Sequence, residues 1–188
     1  YQIGIVNLSL NSTIAQSYHE SPLDAALEVL WFNKIVVVVS AGNGGTQKLF
    51  PPANDPFVIT VGAFDDKDTA ASADDTLATF SAYGLTGDGV LKPDLVAPGT
   101  HIIAPLSGDD NNLTWAHPEN KLAGPYNTQY YQMSGTSMAA AVVSGAVALL
   151  LEDEPTLTPD QVKYRLRATS RPLSGSDSCG AGAGALDI

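Results

Sequence analysis

The order of hydrophobic segments predicts an α/β domain built on a parallel sheet, and three observations carry this expectation. Residues 3–8, 35–39 and 58–63 are short runs rich in Ile and Val, each of strand length. A helix start, Ser21 followed by Pro22, stands between the first two runs. Residues 138–152 form an apolar stretch too hydrophobic on every side for a surface helix, which predicts a central one. The first sixty residues therefore read strand, helix, strand, loop, strand, the pattern of parallel strands joined by crossovers.

The remaining elements follow in order. After Ser21, the residues Leu23, Ala26, Leu27 and Leu30 fall on one helical face. Residues 65–75 are an acidic loop of small side chains, and 92–96 a short extended segment closed by Pro98 and Gly99. Residues 107–129 are polar and rich in Asn, Gly and Pro, which predicts a long surface loop. Thr158 and Pro159 start another helix running to about residue 168, and 182–188 end the chain as a glycine-rich turn and short strand. Because residues 3–8 already read as a buried strand, the domain is expected to begin upstream of Tyr1.

With 188 residues and 44% hydrophobic content, the chain suits one domain with a sizeable core. A net charge of −11 repels phosphates, which argues against a nucleic-acid partner and favours solubility. Cys179 is the single cysteine, so no disulfide forms within the chain, and no base stands beside it in sequence. The apolar stretch 139–151 contains Ser144 and Gly145 and is too short to span a bilayer, so no membrane partner is expected.

Two short segments carry chemistry. In Gly135-Thr136-Ser137-Met138-Ala139-Ala140, glycine permits a tight turn and close approach, and Ser137 falls at the start of the hydrophobic helix. A hydroxyl there lies beside unpaired backbone N–H groups and the positive end of the helix dipole, which stabilise negative charge on a carbonyl oxygen. A plain helix cap is the competing reading of an isolated serine before a helix. The other segment, Ser40-Ala41-Gly42-Asn43-Gly44, follows the buried run 35–39. Ligands of a parallel sheet meet the carboxyl ends of its strands, so Asn43 stands where its NH₂ can meet an oxyanion. A turn asparagine is the competing reading.

Taken together and in this order, the two segments resemble the subtilase family of subtilisin-like serine proteases. Ser40-Ala41-Gly42-Asn43 is similar to the family's oxyanion-asparagine motif, and Gly135-Thr136-Ser137-Met138-Ala139 to its nucleophile motif. The segments 6–10, 58–63, 80–84, 92–99 and 182–188 also resemble it, so the likeness covers nearly the whole chain. It implies a three-layer subtilisin-like fold, with residues 1–188 as the C-terminal part of one catalytic domain that is incomplete on its N-terminal side. Ser137 would be the nucleophile, and its amide with Asn43 the oxyanion hole. Ser9, Leu10 and Asn11 would line one side of the cleft holding the residue before the scissile bond, and Ala41, Gly42 and Asn43 the other.

The family's triad runs Asp, His, Ser, so the first two members are expected before Tyr1 and the chain alone is expected to be inactive. His101, in a segment that matches the family elsewhere, and His19 and His117, in polar surroundings, are not expected to replace the base. Ala141 stands where the family usually has proline, and Asn11 where it usually has glycine. The resemblance also implies peptide or protein substrates, a secreted or cell-envelope location, and chemistry that needs no cofactor. It implies calcium as a structural ion, held by carbonyls of Ala53, Asp55 and Val58 with the carboxylate of Asp94; oxygen donors suit such a hard cation. The acidic cluster Asp65, Asp66, Asp68, Asp74 and Asp75 lacks EF-hand spacing.

In the family fold, the strand matching residues 3–9 pairs with an upstream strand, so this chain is expected to bind an N-terminal fragment of the same domain or another copy of itself. The competing functional readings are a non-catalytic folding or binding partner and an unrelated α/β binding module.

Overall fold

A computed structural model describes residues 3–45, 49–108, 111–125, 128–173 and 179–187; Ile188, the end of the predicted terminal strand, lies outside them. In chain order the strands are β1 (Ile5–Leu8), β2 (Val36–Ser40), β3 (Ile59–Asp65), β4 (Thr76–Leu77), β5 (Gly84–Leu85), β6 (Leu91–Lys92), β7 (Leu95–Pro98), β8 (Ile102–Pro105), β9 (Lys121–Ala123) and β10 (Gln129–Met133). The helices are α1 (Pro22–Phe32), α2 (Asn112–Ala116), α3 (Thr136–Asp153) and α4 (Pro159–Thr169).

The sequence runs of β-branched residues form the main sheet. β1, β2, β3 and β7 lie side by side and parallel, with Val6 opposite Val37, Val38 opposite Ile59 and Val61 opposite Leu95. All five positions of β2 are buried. Successive side chains on a strand face opposite sides, so both faces of β2 are covered, as a layered α/β fold requires. The terminal segment adds to β7: Val96 N–H donates to Gly184 O at 2.9 Å and Leu186 N–H to Val96 O at 2.8 Å.

β1 differs from the expected buried strand. Its positions are half-buried or exposed, and Ile3 lies outside it, 60% exposed. Among the described residues β1 pairs with β2 alone, so its other edge has no neighbour to cover it.

Helix α1 starts as the sequence requires, with Ser21 Oγ accepting the Asp24 N–H at 3.3 Å. Leu27 and Trp31 are buried, whereas Ala26, expected on that face, is exposed. Trp31 turns inward because its Nε1 donates to Asp160 Oδ1 at 3.0 Å, tying α1 to α4. Helix α3 buries Ala139, Ala140, Val143, Ala146 and Val147 against β1, β2, β3 and β7. Its opposite side, with Ala141, Gly145, Ala148 and Leu149, is exposed, so the helix expected to be central is covered on one side only. By length and composition α3 would also suffice to cross a membrane; here it lies on the sheet.

The predicted loop 107–129 contains α2 and β9, and β10 joins β8 and β9 in a separate antiparallel sheet. Local chemistry overrides the polar composition there. Asn111 and Thr114 form a reciprocal cap, and Tyr131 Oη donates to the Leu113 and His117 carbonyls at 3.0 and 3.1 Å. In the acidic loop Asp75 is buried and paired with Arg171. The extended segment predicted at 92–96 is split: Lys92 ends β6, and β7 begins at Leu95.

Candidate active site

Because β1, β2 and β7 are parallel, the residues that follow them emerge at one edge of the sheet. They are 9–11 after β1, 41–43 after β2 and Gly99 after β7. The start of α3 is fastened there by Gly135 N–H, which donates to Gly99 O at 2.7 Å. A Cβ on Gly99 would stand 2.6 Å from Ala63 Cβ and 3.0 Å from Gly135 O, so this contact requires glycine. At Gly135 the reason differs from the expected tight turn. Its φ of 161° is extended, and a Cβ would come within 3.3 Å of Asn43 Nδ2.

Asn43 is exposed and held by its oxygen. Oδ1 accepts the Thr136 N–H at 2.9 Å and the Thr136 hydroxyl at 3.0 Å. Thr136 Oγ1 in turn accepts the Gly42 N–H at 3.1 Å. A backbone N–H can only donate, so Oδ1 must face Thr136, and Nδ2 remains a donor. Ser137 is the second residue of α3, where N–H groups lack an intrahelical acceptor. Thus Asn43 consumes the Thr136 N–H and leaves that of Ser137. No described residue hydrogen-bonds Ser137 Oγ. Thr136, given no role in the sequence reading, is the residue through which Asn43 is positioned; its place between Gly135 and Ser137 was the only signal.

The remaining cleft residues divide. Ser9 Oγ donates to Ser137 O at 3.1 Å, bringing the end of β1 to α3. Asn11 is fixed to the end of β2: its Nδ2 donates to Ser40 O at 3.0 Å, and Ser40 Oγ donates to its Oδ1 at 3.3 Å. Leu10 is exposed and Ala41 fully buried, so Ala41 shapes the loop from beneath. The three imidazoles have other neighbours. His101 Nδ1 lies 3.6 Å from Asp68, His117 Nδ1 lies 3.0 Å from Glu119, and His19 packs on Tyr18.

Residues 2–184, which carry these motifs and this sheet, match the model of the subtilase family. The chain belongs to the subtilase family. It is 40% identical over 98% of its length to the serine protease AprX of Bacillus subtilis (strain 168), and 35% identical over 92% to a thermophilic serine proteinase of Bacillus sp. (strain AK1). It is 30% identical over 96% to subtilisin DY of Bacillus licheniformis. It spans 42%, 33% and 54% of those relatives. Among solved structures, the prenylagaramide maturation protease PagA superposes with a TM-score of 0.67 at 25% identity, over 98% of this chain and 58% of that one. The subtilase fold and membership of a serine peptidase family follow.

The four residues that the resemblance assigned to calcium lie at the opposite edge of the sheet, before β3 and β7. Asp55 Oδ1 accepts the N–H groups of Phe57 and Val58, at 2.7 and 3.3 Å, folding the turn 55–58. Ala53 O accepts the Thr60 hydroxyl at 3.0 Å. Val58 O and Asp94 face the ammonium groups of Lys92 and Lys163.

Proposed function

We propose that Ser137 is the nucleophile of a subtilisin-like serine endopeptidase and that this chain supplies the nucleophile and the oxyanion hole. The observation that supports it is the joint fastening of three distant segments at one spot, Ser9 to Ser137 and Asn43 to Thr136. Attack of Ser137 Oγ on a peptide carbonyl puts negative charge on the carbonyl oxygen. Asn43 Nδ2 and the Ser137 N–H are the donors left for it, and the amino end of α3 adds its dipole. Acyl transfer to Ser137 is followed by hydrolysis. Residues 9–11 and 41–43 flank the side chain before the scissile bond, with Asn11 drawn toward Ser40.

A serine hydroxyl needs a base. The three imidazoles of this chain have Asp68, Glu119 and Tyr18 as neighbours, and His and Asp come from a segment outside residues 1–188. That segment also supplies a strand beside the open edge of β1, whose unpaired backbone groups recruit either this strand or a second copy of the chain. The protease acts at the secreted or cell-envelope location that the family likeness implies.

A fluorophosphonate probe tests this reading. The full-length protein should label at Ser137, and Ser137→Ala should lose both label and peptide hydrolysis. Residues 1–188 alone should label negligibly; rapid labelling would sink the outside base. Sedimentation of residues 1–188 should report a complex with the upstream segment, or self-association in its absence.

A further inference from the structure

The turn before β3 is built like a cation cage, and its occupant is part of the chain. Lys163 Nζ, carried on α4, donates to Pro56 O at 2.8 Å, Phe57 O at 3.1 Å and Val58 O at 2.9 Å, and lies 3.1 Å from Asp94 Oδ1. Lys92 Nζ donates to Val58 O at 3.1 Å and to Asp94 Oδ2 at 2.8 Å. Asp94 Oδ2 also accepts the Thr60 N–H at 2.9 Å. Lys92 is fully buried, and the Asp94 and Lys163 side chains are 6% and 12% exposed.

These residues do not fit a calcium ion. Calcium takes six to eight oxygens at about 2.3–2.6 Å, with carboxylates to balance its charge. Here the oxygens are spaced around nitrogen at the lengths of charge-assisted hydrogen bonds. The side chains of Lys92 and Lys163 already face Asp94, with the Asp55 carboxylate on the same turn, and a divalent ion would have to enter against both lysines. The geometry alone sets the occupant: three carbonyls of one turn converge on a single Nζ, more acceptors with Asp94 than an ammonium has protons.

We propose that this position, which the family likeness assigns to calcium, is filled from within the chain, with the amino group of Lys163 standing in the ion's place and the ammonium of Lys92 beside it. The cage then joins α4 to the strands β3 and β7 by side chains that no chelator can remove. The residues 56–58 lie more than one hundred positions from Lys163, so the link does the long-range work of a bound metal.

The test uses the full-length protein and needs no activity. Unfolding temperatures are compared in millimolar calcium and in chelator for the wild type and Asp94→Asn. The calcium-dependent shift should be the same in both, because any calcium binds elsewhere; a wild-type shift that Asp94→Asn abolishes would overturn the proposal. Since Asp94→Asn also removes the counter-charge and can fail to fold, the wild type is read directly as well. With lysine labelled at its ζ nitrogen, below neutral pH, Lys163 should give a slowly exchanging ammonium resonance, assigned by its loss in Lys163→Gln. That resonance should stay in place as calcium is added. A saturable shift or disappearance with calcium would overturn the assignment.

Discussion

The two edges of the main sheet treat polar groups in opposite ways. At the carboxyl edge, Asn43 is exposed, Ser137 Oγ is without a partner among the described residues, and Asn43 spends its oxygen while sparing its NH₂. At the amino edge, Lys92, Lys163 and Asp94 are buried and their donors and acceptors are used several times over. A site that must bind charge arising in a reaction keeps donors unspent and holds them rigidly from behind. At a site that holds the fold together the buried ammonium and carboxylate groups are paired, because an unpaired buried polar group costs about 1–3 kcal/mol; Asp55 Oδ2, in the same turn, is the buried oxygen left without a partner among the described residues.

The largest effect is expected at the carboxyl edge. In the proposed reaction, Asn43→Ala removes the donor that meets the developing oxyanion. Loss of the corresponding amide in subtilisin itself costs about 10²–10³ in kcat, a magnitude carried over from that relative. In the full-length protein kcat should fall by this order while KM and the unfolding temperature change little. A raised KM with unchanged kcat would mean that Asn43 binds ground-state substrate instead.

At the amino edge the effect should fall on stability instead. Lys163→Met takes the ammonium from Pro56 O and Phe57 O and leaves Val58 O with Lys92 alone, and should cost about 2–4 kcal/mol, read by denaturant unfolding. The pH dependence carries a distinctive sign. Burial, reinforced by the ammonium of Lys92, pushes Lys163 down from its ordinary 10.5 to about 7, against the pull of Asp94. The other charges facing the cage are Asp55 on the turn and, along the adjoining cavity, Asp160 and Arg167 of α4. Between the two values the unfolded chain holds a proton that the folded chain has released. Stability therefore rises as pH climbs from about 7 towards 10.5. Lys163→Met should flatten this rise. An unchanged slope in the variant would assign the titration to another group.

Much of the carboxyl edge was legible in the sequence because its chemistry sits in contiguous segments. Gly135 to Ala140 and Ser40 to Gly44 each carry a turn, a functional side chain and the neighbouring element in a few residues. Parallel strands with buried β-branched runs then bring the segments together without further information. The amino edge was less legible for the opposite reason. Lys163 lies on a helix whose start was predicted, but nothing local to it signals a carbonyl turn more than one hundred residues away. Lys92, two residues before Asp94, was visible and is an exception to the rule that lysine avoids full burial. Trp31 turning inward and Asp75 pairing with Arg171 are likewise set by distant partners. β1 failed as a buried strand because burial depends on a neighbour, not on its own residues.

The smallest expected effect tests how the carboxyl edge is held from behind. Thr136 touches no substrate in the proposed reaction; its hydroxyl donates to Asn43 Oδ1 and accepts from Gly42 N–H. Thr136→Val keeps the shape and the backbone N–H that also binds Asn43, and removes only the hydroxyl. Two hydrogen bonds of the hydroxyl are lost, but only the one to Asn43 holds the amide directly; a bond of this kind is worth about 0.5–1.5 kcal/mol, and about 1.4 kcal/mol is tenfold. A decrease in kcat of about 3- to 10-fold with KM retained is therefore expected, much milder than Asn43→Ala. Thr136→Ser restores the hydroxyl and should restore kcat. In the Asn43→Ala background the hydroxyl has no amide left to position, so Thr136→Val should add little to the loss. Independent, multiplicative losses in the double variant would break the link between Thr136 and Asn43, and with it the claim that the free NH₂ is aimed by its bound oxygen.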